Sequence, residues 1–209
     1  MPAASRRLEE EGVVIAPTRL VDGGELDEEF LEGLLERMRY PDERRGDLKA
    51  QLGAARLAER RLEALLARWG EAVVAAAMED ALAYAERRMR LALAGLPAGE
   101  YSAEDFLERD GDDLRVAVSV RVGEGEIAFD FDGTGPQEEG NLNCPMSVTR
   151  SACYFAVRSL TDPDIPANAG ALKPVRVMAP AGSLVNARPP AAVAAGNVET
   201  SQRILDTVL

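Results

Sequence analysis

Two stretches of this chain hold most of the residues able to do chemistry. One runs from Asp130 to Arg150, Asp-Phe-Asp-Gly-Thr-Gly-Pro-Gln-Glu-Glu-Gly-Asn-Leu-Asn-Cys-Pro-Met-Ser-Val-Thr-Arg, and the other is Asn197-Val-Glu199. Asp130 and Asp132 stand at the end of a strand-like run, where paired carboxylates could hold a hard cation and attack phosphorus. Asp130 and Thr134 could instead orient a substrate amide. Asn141 and Asn143 each offer a donor and an acceptor, which suits the carbonyl and N–H of an amide ring. Arg150 could grip a carboxylate through two parallel hydrogen bonds. Cys144 precedes a helical pattern, where a helix N-terminus would lower a thiol pKa, but with no partner base in the chain it is expected to be a buried small residue and not a nucleophile. Plainer roles exist for all of them. Asp, Asn and Thr staple turns, and Asn197, Glu199 and Ser201 fit the capping of a helix.

What is missing narrows the chemistry further. The sequence has no histidine, which removes the commonest general base and metal ligand. Cys144 and Cys153 lack metal-site spacing and cannot complete a zinc tetrahedron alone. No catalytic residue and no metal site are therefore assigned within the chain. A net charge of -12 over 209 residues argues against nucleic acid, whose phosphates need clustered Lys and Arg. No apolar run reaches the roughly 18 residues of a membrane span, and no signal-peptide pattern opens the chain. The expected setting is the cytoplasm.

Periodicity supplies the elements that must position these groups. Residues 1–26 read as irregular, with a short edge strand within Gly12–Leu20 and a turn at Asp22-Gly-Gly24. Leu26, Phe30, Leu31, Leu34, Leu35 and Met38 recur at helical spacing up to Pro41. A second helix carries Leu48, Leu52, Ala55, Leu62, Leu65, Leu66 and Trp69, with Glu59 inside the stripe, expected to pair with Arg56 or Arg60. A third runs from Glu71 to Ala94, and the short connection predicts an antiparallel hairpin. Its Glu86–Arg90 charge run reads as a solvated face.

At Pro97 the period changes to two. Tyr101–Glu108, Leu114–Val122 and Glu126–Phe131 read as an antiparallel meander, with turns at Asp110–Asp113 and Gly123–Gly125. A helix over Pro145–Leu160, a strand over Leu172–Ala179, a short strand at Leu184-Val185 and a helix from Val198 complete the pattern. That helix reaches Leu209 without a cap, which suggests a fragment. The fold class is α+β: a helical hairpin region over 1–96 with an irregular arm, then a mixed, partly antiparallel sheet with helices over 97–209.

Asp130-Phe-Asp132-Gly-Thr134 resembles the DxDGT signature of haloacid-dehalogenase-like phosphatases. That resemblance implies an aspartyl nucleophile on a central parallel strand, whereas here the motif closes an antiparallel hairpin with few residues after it. A broader resemblance rests on Pro136-Gln137, Gly140-Asn-Leu-Asn143, Asp164-Ile-Pro-Ala-Asn168, Lys173-Pro174, Ala179-Pro-Ala-Gly-Ser183, Pro189–Asn197 and Glu199-Thr-Ser-Gln-Arg203. With Arg45–Gln51 upstream, these resemble the hydantoinase B/oxoprolinase family from about Thr18 to Leu209.

The family resemblance implies ATP-dependent opening of a cyclic amide such as 5-oxoproline or a hydantoin. It also implies a hetero-oligomer with an ATP-binding hydantoinase A-type subunit, or, for related members, a ketone carboxylase subunit. Family members are considerably longer, so this chain corresponds to an inner part of a B-type subunit, inactive alone. ATP and a divalent metal belong to the full assembly, with no cofactor held by this segment. Asp130, Thr134, Asn141, Asn143, Arg150, Asn197 and Glu199 are the candidate substrate-binding residues. The alternative is a non-catalytic piece that docks the ATPase partner.

Overall fold

In the computed structural model, which describes residues 4–109 and 111–209, the N-terminal part up to Ala94 forms small elements and two long helices. These are α1 (Leu8–Glu11), the hairpin of β1 (Val21–Asp22) and β2 (Glu25–Leu26), α2 (Glu28–Leu35), α3 (Pro41–Trp69) and α4 (Glu71–Ala94). Gly23 and Gly24 carry positive φ at the hairpin tip, the conformation that glycine tolerates. Asp27 caps α2 by accepting from the Phe30 N–H. The expected strand within Gly12–Leu20 does not form. With Pro17 unable to donate and no neighbouring strand, that run stays irregular.

Contacts divide the chain into two compact units. One is Gly12–Met78, and the other joins the residues up to Glu11 with Glu79–Leu209. Within the first, Leu31, Leu34 and Leu35 are buried and Arg45 holds the Glu32 carboxylate. None of the 29 residues of α3 is buried, and Glu59 pairs with neither arginine.

The second unit is built on a sheet. β3 (Gly99–Leu107), β4 (Leu114–Gly123) and β5 (Glu126–Asp130) form the expected antiparallel meander, while Asp110 lies outside the described residues. β6 (Val175–Met178) adds parallel to β5. A parallel neighbour needs a crossover, and the chain supplies α5 (Met146–Leu160) and the single turn α6 (Ala169–Leu172). The last element is α7 (Glu199–Val208). Alternation in β4 and β5 sends Val116, Val118, Val122, Ile127 and Phe129 to one face, into a core with Met89, Leu93, Val157 and Ile204. On the other face, Arg121 pairs with Glu100 at 2.8 Å and Arg115 with Glu104 at 2.6 Å across facing strands.

Three further details, in the second unit, depart from the sequence expectations. Leu172 belongs to α6 and not to a strand, because Asn168 caps the Gly170 N–H at 2.9 Å and starts a helical turn there. Leu184 and Val185 are fully buried in a turn with isolated bridges and form no strand. The Glu86–Arg90 run is more than a solvated face. Glu86 binds Arg90 at 2.9 Å and Lys173 at 3.0 Å, and Arg90 reaches Glu126 at 2.9 Å.

Gly170 packs so closely on α4 that an added Cβ would sit 2.0 Å from the Leu82 carbonyl oxygen. Gly170→Ala should lower stability by about 3 kcal/mol in urea denaturation. Hydrogen bonds from Lys173 and Arg90 hold the Glu86 carboxyl below its ordinary value, and Arg90 does the same for Glu126. A lowered folded-state pKa stabilises above the ordinary carboxylate range and loses that contribution as pH falls through and below it. The unfolding midpoint should therefore drop on acidification, and less steeply in Glu126→Gln.

Candidate functional site

Where β5 ends, the chain turns, and several of its polar groups find partners on neighbouring segments. Phe131 is fully buried and donates its N–H to the Met178 carbonyl at 3.0 Å. Gly133, at φ 87°, reverses direction and brings Thr134 beside β4. The Thr134 hydroxyl donates to the Ala117 carbonyl at 2.9 Å and accepts from the Ala117 N–H at 3.1 Å. Thr134 thus completes the ladder of β4. Asp130 accepts from the Asp132 N–H at 3.1 Å, an Asx turn, and Asp132 is exposed.

Beyond the turn, three segments close on one another. Gly135 and Gln137 pair with Leu184 and Gly182 through backbone bonds of 2.9 Å. The Glu138 carboxylate accepts from the N–H groups of Gly140 at 2.6 Å and Leu142 at 3.0 Å, and from Arg109 at 2.8 Å. Asn143 has no solvent exposure. Its oxygen accepts from the Glu138 N–H at 2.8 Å, and its amide nitrogen faces the carbonyls of Glu138, Gly140 and Ala192 at 2.9–3.0 Å. Asn141 donates to the Ser5 hydroxyl at 3.2 Å. Gly196 approaches so near that a Cβ would lie 2.0 Å from the Asn143 carbonyl oxygen. From the far end of the sequence, the Glu11 carboxylate accepts from the Val193 and Ala194 N–H groups at 2.8 and 2.9 Å.

Cys144 is the buried small residue that the lack of a partner base predicts. It precedes α5, is fully buried and donates to the Gly196 carbonyl at 2.9 Å. Burial pushes its thiol up to about 12, and that of Cys153 likewise, so both stay protonated at neutral pH. Desolvation outweighs the helix terminus.

The seven candidate residues separate by environment. Asp130, Thr134, Asn141 and Asn143 serve the backbone or a neighbouring segment. Arg150, Asn197 and Glu199 are exposed, and their side chains have no hydrogen-bond or ion-pair partner among the described residues. Asn197 lines a groove of about 410 Å³ between α5 and α7, with Ser147, Phe155, Gln202 and Leu205. Asn141 lines a separate cleft of about 240 Å³ with Ser5, Arg109 and Glu138. The seven therefore do not converge on one cavity. Among the described residues, no three Cys, Asp or Glu side chains come together as metal ligands, so Asp130 and Asp132 gain no third carboxylate. Sequence reasoning missed Phe155 and Gln202. Phe155, 59% exposed on a helix that buries Ala152, Ala156 and Val157, marks a second apolar face that the pattern already contained.

Comparison with known proteins places this geometry. The family model described as hydantoinase B/oxoprolinase matches residues 1–209. The 5-oxoprolinase of Saccharomyces cerevisiae is 35% identical over 223 aligned positions, covering 100% of this chain and 17% of its own length. A putative D-/L-hydantoinase B-type subunit of a Pseudomonas species is 33% identical over 213 positions, covering 95% of this chain and 36% of its own. The crystal structure of the ATP-dependent caprolactamase from Pseudomonas jessenii superposes with a TM-score of 0.90 at 28% identity, over 98% of this chain and 36% of that one. The chain thus spans about a third or less of the length of these relatives.

Replacing Asn143 with alanine should cost about 3 kcal/mol, because it strands buried backbone groups. Asn197→Ala, at an exposed position, should stay within about 0.5 kcal/mol. Urea denaturation of the two variants measures the contrast.

Proposed function

The chain belongs to the hydantoinase B/oxoprolinase family, and we propose that it is part of a B-type subunit of an ATP-dependent cyclic-amide hydrolase. The substrate class is a ring amide such as 5-oxoproline or a hydantoin. The family match over residues 1–209 carries this reading, supported by the likeness to an ATP-dependent amide hydrolase. The chemistry of the chain fits a supporting role within such an enzyme. It has no histidine, both thiols are buried, and the polar groups of the junction are engaged in holding loops together.

ATP and its metal would be bound by a hydantoinase A-type partner or by other parts of the assembly. What this chain offers outward is Arg150, Asn197 and Glu199, mounted on or beside α5 and α7. An amide such as Asn197 supplies both the donor and the acceptor that a ring amide requires. Arg150 suits the carboxylate carried by 5-oxoproline.

A full-length B-type subunit containing this sequence, assayed with ATP and 5-oxoproline or a hydantoin, tests the reading. Ring opening coupled to ADP release should require the A-type partner. Arg150→Ala and Asn197→Ala should each lower kcat/KM by about ten-fold or more, consistent with one lost polar contact of about 1.5 kcal/mol or greater. Turnover by this chain alone, or wild-type kinetics in both variants, would contradict it.

A further inference from the structure

The helix α3 exposes a seam with the spacing of a coiled coil. Leu48, Leu52, Ala55, Glu59, Leu62, Leu66 and Trp69 are separated alternately by four and three residues, the heptad pattern of a two-helix interface. None is buried, and Leu62 and Trp69 are 39% and 55% exposed. A 29-residue helix with an apolar seam and no buried residue lacks the packing of an apolar face from which most helical stability in proteins comes. The charges on and beside the seam, Lys49, Arg56, Glu59 and Glu63, form no close ion pair among the described residues. Lys49 does lie near enough to Glu32 to help hold its carboxyl below the ordinary value, after the larger effect of Arg45.

We propose that α3 pairs antiparallel with α3 of a second copy of this chain, about a two-fold axis near Arg56–Leu57. In that register Leu48 meets Leu66 of the second copy and Leu52 meets Leu62, and each contact recurs by symmetry. The one charged seam residue, Glu59, lies opposite the smallest, Ala55, where the second copy's Arg56 is within reach. Lys49 faces Glu63 of the second copy. Every leucine of the seam finds a leucine, Lys49 and Glu63 find each other, and the two Arg56 side chains that meet at the axis each have a Glu59 of the other copy beside them.

Other registers fail on the same criteria. A parallel pair would set Glu59 against Glu59 at a core position. Sliding the antiparallel pair by one heptad would set Glu59 against Leu62. The self-complementary charge pattern thus selects a second copy and fixes its direction, as flanking charges do in coiled coils.

Sedimentation equilibrium on the chain, from micromolar to about 100 micromolar, gives the test. The expected result is a reversible dimer. Lys49→Glu and Glu63→Lys should each raise its dissociation constant about ten-fold, and the double variant should restore it, since each single change sets two like-charge contacts across the axis. Arg56→Cys should form a disulfide-linked dimer on mild oxidation, and Leu57→Cys, on the outer face, should not. The native Cys144 and Cys153 are buried and stay out of that reaction. A chain that stays monomeric across the range, or a dimer indifferent to the charge swaps, would overturn the pairing and would mean that something other than a second copy covers α3.

Discussion

The structure depends on the satisfaction of buried, irregular backbone around Asn143. Loops lie at the surface of most proteins because their backbone groups need water. Here the Glu138–Cys144 loop is folded inward, and two side chains replace the water. The Glu138 carboxylate takes two backbone N–H groups, and the Asn143 amide serves one N–H and the carbonyls around it. An amide is the side chain suited to that position, since a carboxylate could not donate and a hydroxyl could not reach so many groups.

From that node the rest of the second unit follows. Asn143 reaches Ala192, Cys144 reaches Gly196, and Glu11 holds Val193 and Ala194, so segments far apart in sequence converge on one place. The convergence fixes the start of α5 and the approach to α7, which pack against the sheet through Val157 and Ile204. Arg150, Asn197 and Glu199 sit on that rigid base with their side chains free. The inward residues hold the frame, and the outward ones face solvent.

Much of this was readable from local pattern. Alternating valines announced β4, and the glycine-rich turn after β5 marked where the chain must bend. The family resemblance rested on short runs that recur in order, and it held along the whole chain. Less legible were interactions between distant positions. Nothing near Glu11 signals that it will accept from Val193, because such a bond leaves no periodic trace. Burial of Cys144 was readable from the lack of a partner base, but the distant partners that enclose it, Gly196 and Leu184, left no local sign. The short α6 displaced the expected start of β6 because an asparagine cap and a glycine packed on α4 outweighed an apolar run.

The central claim is that the polar junction is a rigid support and not an open reactive loop. Native-state amide hydrogen exchange on the backbone of Glu138, Gly140, Leu142 and Gly196 tests it most directly. If the account holds, these four amides exchange as slowly as those in the middle of β4. Exchange at the rate of an exposed loop would contradict it.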